Sequence, residues 1–192
     1  MHVKTFIIAF ILLVTSADTK ISMAGVSIGD SDSALAKVKL QILAEEGDTK
    51  KYRSVNGNDF SITLLDGKVV YMENDWLQDA AGRQPLITGF QFGTTSLADI
   101  RKSLGNNGFT FTAMWGFTTE THVIQLNCYE ADSANKEVIA FVTKVPLDAD
   151  VTEATIAEKL KLDAIIIADM EYLNLIWGEE KLFDPNYKKI KL

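Results

Sequence analysis

The chain has 192 residues, 47% apolar and 23% charged, a composition that folds around a core and excludes an intrinsically disordered chain. Its 26 acidic residues outnumber 19 basic ones, for a net charge of −7, which excludes an electrostatic partner for nucleic acid or an anionic membrane. Cys128 is the single cysteine, so an internal disulfide is excluded as well.

The first element in chain order is a leader. Lys4 precedes an apolar run over residues 6–14, and Thr15-Ser16-Ala17 follows at once, with small residues at the two positions signal peptidase reads. A cation, a short apolar block and small residues form the pattern of a secretory signal peptide, expected over residues 1–17 with cleavage after Ala17. Ser22-Met23-Ala24 offers a second cleavage point. Loss of Lys4 makes the mature charge −8, from 18 basic and 26 acidic residues. The apolar run is too short to span a bilayer, and the later run 164–168 is core-sized, so no stable membrane insertion is expected after cleavage. An exported chain with no disulfide and no Asn-x-Ser/Thr acceptor points to a bacterial envelope, periplasmic or secreted.

A helix is predicted where Leu35, Val38 and Ile42 recur at helical spacing, introduced by Ile28-Gly29-Asp30-Ser31. A β-hairpin follows: residues 60–65 alternate, Asp66-Gly67 turns, and residues 68–72 return. In the simplest register Leu64 faces Val69 and Ile62 faces Tyr71. Residues 78–85 read as a linker. A second helix is predicted from Leu97, Ile100 and Leu104, introduced by Phe92-Gly93-Thr94-Thr95. Strands are expected over 109–113, 122–129 and 137–143, the last two joined through 132–135. Beyond Pro146, residues 152–158 open a helix, the β-branched run 165–167 favours a strand over 160–168, and Asp169 caps a short helix through Trp177, with Gly178 as its stop.

Gly29 and Gly93 lie 64 residues apart, and the helical triplets starting at Leu35 and Leu97 lie 62 apart. The spacing suggests an internal repeat. The expected fold is therefore α+β: two related helix-plus-antiparallel-strand units, residues 18–86 and 87–145, with a C-terminal α/β extension over 146–192 packed on the same domain. This two-copy layout, with Ile28-Gly29-Asp30-Ser31 and the Asp66-Gly67 hairpin in one copy and Phe92-Gly93-Thr94-Thr95 in the other, resembles tandem-repeat secreted bacterial proteins of the β-lactamase-inhibitor-protein and small outer-membrane-protein-A-like type. The resemblance covers roughly residues 25–145 and implies inhibition, assembly or binding. It carries over no catalytic residue.

The candidate chemistries are few. Gly25-Val26-Ser27-Ile28-Gly29 fits a nucleophile elbow in letters but has no parallel sheet built before it. Gly29-Asp30-Ser31 resembles the Gly-Asp-Ser block of small secreted esterases and lipases, which implies Ser31 as nucleophile. His122 is then the base on offer in the mature chain, with Thr119 where that family carries an acid. A capping role suits Ser31 better. Cys128 and His122 lie six residues apart on one strand, about 20 Å, too far to form a Cys–His pair. Cys128 reads as a buried apolar residue beside Ile124 and Leu126. One histidine and one cysteine cannot close a zinc site, and Asp30 with Asp32, or Asp148 with Asp150, lack the remainder of a calcium loop. No cofactor and no metal are expected. Trp76, Trp115, Phe117 and Trp177 fall near element ends, where aromatics serve as interface anchors or close the core. The expected function is non-catalytic binding outside the cytoplasm, with another envelope or secreted protein as partner. The alternatives are a serine hydrolase using Ser31 and His122, and an envelope-assembly accessory factor. Oligomeric state is open.

Overall fold

The structure, a computed structural model, describes residues 20–190 apart from 37, 39, 80–81 and 133–135. The expected signal peptide, the middle of the 78–85 linker and most of the 132–135 turn lie outside the described residues.

The described chain opens with a small hairpin, β1 (Ser22–Met23) and β2 (Val26–Ser27), turning at Ala24 (φ 51°) and Gly25 (φ 80°). These are the two positive φ values of a tight type I′ connection. A single turn of helix, α1 (Asp32–Leu35), leads to β3 (Gln41–Glu46) and β4 (Thr49–Arg53), then to β5 (Asp59–Leu65) and β6 (Lys68–Asp75). Helix α2 (Leu97–Leu104) precedes β7 (Phe109–Phe111), a 3-10 turn (Thr112–Met114), the two-residue β8 (Phe117–Thr118), and the long pair β9 (His122–Glu130) and β10 (Glu137–Pro146). The chain ends with α3 (Ile156–Lys159), β11 (Lys161–Asp169), α4 (Met170–Trp177) and β12 (Lys181–Phe183).

The expected α+β fold of two repeat units plus an extension is corrected here. Among the described residues, ten strands form one antiparallel sheet ordered β12-β7-β9-β10-β11-β6-β5-β4-β3, with β8 paired to β9 off that path. The stretch expected to be an extension supplies the middle of this sheet, because β11 lies between β10 and β6. The physical reason is in its composition. Residues 164–168 are all buried, and an uninterrupted apolar run is what a strand covered on both faces requires. Ile165 and Ile167 face one core cluster, Ile166 and Ala168 the other. Each fully buried Ile is worth about 1.5–3 kcal/mol relative to exposure.

A second correction concerns Ile42. It lies on edge strand β3, 56% exposed, and Val38 falls beyond α1, which ends at Leu35, so the three residues share no helix. The hairpin β3–β4, turned at Gly47 (φ 60°), wins over local helical spacing because its pairing continues the sheet. The Asp66-Gly67 hairpin forms as expected, with φ of 50° and 69° at the turn, and Leu64 faces Val69. A bulge between Thr63 and Leu64 then pairs Ile62 with Met72 instead of Tyr71. One extra residue reverses the facing of everything beyond it, so Tyr71, Glu73 and Asp75 point away from the main core.

The main core lies on the face covered by the β1–β2 hairpin, α1, α2 and residues 86–92. It contains Phe60, Ile62, Met72, Tyr129, Phe141, Ile165 and Ile167. On the opposite face α4 and Tyr187 cover Cys128, Val138, Ala140 and Phe111. Helix α2 is capped by Ser96, not by Gly93-Thr94-Thr95: Ser96 Oγ accepts from Asp99 N and Asp99 Oδ2 accepts from Ser96 N, a capping box. Asp169 caps α4 as expected, accepting from Glu171 N and Tyr172 N. Among the described residues no helix is long and apolar enough to cross a membrane.

Candidate functional site

The two residues of the hydrolase alternative are not brought together. Ser31 bridges Lys68 at the Asp66-Gly67 end of the sheet, where its Oγ meets Ser33 Oγ at 2.8 Å without capping α1. His122 pairs with Pro146 at the opposite end, its Nδ1 against Thr121 Oγ1. Glu130, Val138, Ala168 and Tyr71 share one row across the sheet. From that row to His122 is eight residues of β9, roughly 26 Å, and Ser31 lies beyond it in the other direction. Ser27 of the elbow-like block is buried, its N–H donating to Asp30 Oδ2. Asp32 pairs with Lys50 at 2.8 Å, and no group of three or more metal-ligating side chains occurs among the described residues. Cys128 is wholly buried, and burial pushes its thiol far above the ordinary range.

The four singled-out aromatics divide into two pairs. Trp76 stacks on Phe92 at an interplanar angle of 9° and donates from Nε1 to Asp79 O. Trp177 meets Phe111 edge-on at 5.3 Å. Both close the ends of the core. Trp115 and Phe117, by contrast, are 67% and 44% exposed. Trp115 adjoins Leu182 and Phe183 of edge strand β12, each about half exposed.

These exposed side chains surround a cavity of about 180 Å³ between α2 and the β12–β7–β9 edge. The chain builds it through the turn Gly105-Asn106-Asn107-Gly108. Gly105 (φ 70°) ends α2 in the left-handed conformation, and Asn106 ties the turn back, Nδ2 donating to Leu104 O and Oδ1 accepting from Gly108 N. Asn107 then projects between two strands. Its carbonyl accepts from Asn127 Nδ2 at 2.9 Å, and its Nδ2 donates to Asp184 Oδ2 at 2.8 Å. That bond, with a second from Asn186 N–H, holds the Asp184 carboxyl below its ordinary pKa, so it stays ionised. Among the described residues, two residues that line this cavity each hold one atom without a protein partner, Asn127 Oδ1 and Arg101 Nε, and both atoms are buried behind its surface. A buried polar atom without a partner costs about 1–3 kcal/mol.

A second polar assembly lies on the opposite face, where the hairpin bulge turned it. Tyr71 Oη donates to Glu73 Oε2 at 2.9 Å. Asp75 lies across from Asp59, which pairs with Arg53 at 3.1 Å. On the other side Asp163 pairs with Lys144 at 2.6 Å. Burial, and then the charges of Glu73, Asp163 and Asp59, push Asp75 up to about 7. Burial raises Glu73 as well, against the lowering effect of its hydrogen bonds with Tyr71 and Asp75. The Glu73–Asp75 pair therefore retains a proton well above the usual carboxylate range.

Comparison with known protein families found no match, and comparison with curated proteins found none either. A solved structure with some likeness is the 1.5 Å crystal structure of an extracellular protein containing a SCP domain from Bacillus anthracis str. Ames. It shares 12% identity at a TM-score of 0.40, over 84% of this chain and 50% of that one. The present chain thus spans half of that protein's length, and a likeness this loose transfers neither fold nor activity.

Of the residues lining the cavity, the sequence reading anticipated only Trp115; Phe117 is exposed but lies outside the lining. The Gly-Asn-Asn-Gly turn was a legible signal, since two glycines around two asparagines mark a tight, hydrogen-bonding loop. Arg101, Asn127 and Asp184 carried no such mark, because strand pairing across the fold brings them together.

Proposed function

We propose that this chain is an exported, non-catalytic binding protein of the bacterial envelope, periplasmic or secreted, and that it engages its partner at the β12–β7–β9 edge. Export rests on Lys4 and the apolar run of residues 6–14. The binding reading is carried by one observation: Trp115, Leu182 and Phe183 stand exposed around a polar cavity, whereas Trp76 and Trp177 are packed. An exposed aromatic rim around a few convergent polar groups is the composition of a recognition site. The expected partner is another component of the envelope or secreted space, consistent with the acidic surface and its poor fit to nucleic acid.

The test uses the exported protein immobilised as bait against a native envelope fraction. Retention of a component by the wild type, lost in Trp115→Ala and in Phe183→Ala with melting unchanged, is the expected result. Retention indifferent to both substitutions would move the contact surface elsewhere, and exported protein that keeps Met1 would overturn the assignment to the envelope.

A further inference from the structure

The far edge of the sheet carries a second interaction surface, independent of the β12–β7–β9 edge. Strand β3 ends the sheet opposite β12 and, among the described residues, pairs with β4 alone. The backbone N–H and C=O groups along its outer side are therefore open to another strand. All of its residues but Ala44 are exposed, Ile42 (56%) and Leu43 (43%) among them. An open strand edge with exposed branched apolar side chains pairs with other chains unless something covers it. We propose that β3 takes an extended segment of another polypeptide as an added strand, and that this segment carries an apolar residue and a basic residue on one face.

The open backbone selects an extended chain, and the groove beside it selects the side chains. A cavity of about 380 Å³ runs between α1 and the β3–β4 hairpin. Leu35 and Tyr52 are buried at its floor, while half-buried Val38 and Leu40 and exposed Ile42 form walls that an entering side chain can touch. The bulge at Leu43 adds a charge to this groove. Ile42 pairs with Tyr52 and Glu45 with Lys50. Residues three apart face opposite sides of a regular strand, but the extra residue places Ile42 and Glu45 on the same side. Lys50 is engaged by Asp32 at 2.8 Å, and Glu45 forms no ion pair among the described residues. In the added strand, an apolar side chain opposite Ile42 fills the groove. A Lys or Arg two positions away, the spacing of Tyr52 and Lys50 on β4, meets Glu45. A second copy of this chain does not supply that pattern. Two-fold pairing of residues 41–46 offers Glu45 no cation, since the stretch reads Gln-Ile-Leu-Ala-Glu-Glu, and it sets two bulged edges against each other.

The probe is a capped, fluorescently labelled peptide of the pattern Thr-Lys-Thr-Ile-Thr-Ile, titrated by anisotropy into the exported protein, with hydrogen exchange followed over residues 41–46. Saturable binding that slows exchange at 41–46 is expected. Ile42→Asp and Glu45→Lys alter exposed side chains, so both are expected to melt with the wild type and to weaken binding at least tenfold. The same peptide with Glu in place of Lys is expected to bind Glu45→Lys more tightly than it binds the wild type. N-methylating one of the two alternating sets of peptide amides is expected to abolish binding. If peptides methylated on either set both bind as well as the parent, strand addition is wrong. Binding indifferent to Ile42→Asp and Glu45→Lys would overturn the placement, and no binding at millimolar peptide would overturn the proposal. Dimerisation of the protein that Ile42→Asp abolishes would assign the edge to a second copy and overturn it as well.

Discussion

Gly108 packs so closely on Cys128 that a β-carbon added to the glycine would lie 2.4 Å from the Cys128 carbonyl oxygen. The same β-carbon would meet the Tyr129 ring at 3.0 Å, and φ at Gly108 is +71°. Gly108→Ala therefore forces backbone to move as well as straining φ. The expected loss is about 2–4 kcal/mol by urea denaturation. Gly29→Ala is the control: φ is +83° but nothing lies within 4 Å, so only strain of about 1 kcal/mol applies. Equal losses at the two positions would contradict the close approach on which the Asn107 turn depends.

Trp115→Ala and Trp177→Ala separate an exposed rim from the core. Trp177, the last residue of α4, packs on Phe111, and its truncation is expected to cost about 2–4 kcal/mol. Trp115 is 67% exposed, so its truncation is expected within about 0.5 kcal/mol of wild type. Thermal melting checks both. A large loss at Trp115 would place it in the core and weaken its assignment to a contact surface.

Asp75 makes stability fall as pH rises. Its pKa is about 7 in the fold and near 3.9 in an unfolded chain. The native state thus holds a proton that the unfolded state has lost between those values. Stability from this group is complete below about pH 4 and is lost progressively up to about pH 7. Facing it are Glu73 on its own strand, Asp59 with Arg53, and Asp163 with Lys144. With solvent screening of a half-buried group, the loss is about 1–2 kcal/mol. Asp75→Asn is expected to remove that pH dependence and to exceed wild type in stability at pH 8, measured by urea denaturation at pH 5 and pH 8. A variant destabilised equally at both pH values would refute the shared-proton arrangement.

How far the sequence reading reached depends on whether a signal was local. The Asp66-Gly67 turn, the Asp169 cap and strands β9 and β10 were legible because turn residues, caps and alternation act within a few positions. The bulge at Thr63/Leu64 was not, since a bulge leaves no mark distinct from its alternating neighbours, and it reversed Tyr71. The repeat suggested by Gly29 and Gly93 misled for a related reason. Both glycines hold positive φ, but Gly29 N–H bonds Val69 O and Gly93 N–H bonds Leu162 O, so similar local turns serve different strands. The central place of β11 was implicit in residues 164–168, although a buried run does not name its neighbours.

Cys128 tests the face opposite the main core. It is wholly buried against Phe109 and Leu173 in the cluster beneath α4, and burial keeps its thiol protonated. A thiol reagent is expected to label it only after unfolding, and Cys128→Ser to cost about 1–3 kcal/mol by burying a hydroxyl in an apolar cluster. Rapid labelling of the native protein would mean that α4 lifts from the sheet.

The β1–β2 hairpin discriminates between the two candidate cleavage points. Met23 is fully buried in the main core, Ser22 pairs with Ser27, and Ile21 N–H donates to Glu137 Oε2 at 3.4 Å. Cleavage after Ala24 would remove all three interactions and leave Val26 without its partner strand. Deleting a buried methionine from a packed core costs about 2–5 kcal/mol. Cleavage after Ala17 leaves every one of them in place. A protein beginning at Asp18 is therefore expected to match the exported form in N-terminal sequence and in melting temperature. One beginning at Gly25 is expected to melt about 10 °C or more lower, given roughly 2–4 °C per kcal/mol at this size. Equal melting of the two forms would show that the hairpin adds nothing to the core, and an exported N-terminus at Gly25 would show that the peptidase cuts inside an element the fold uses.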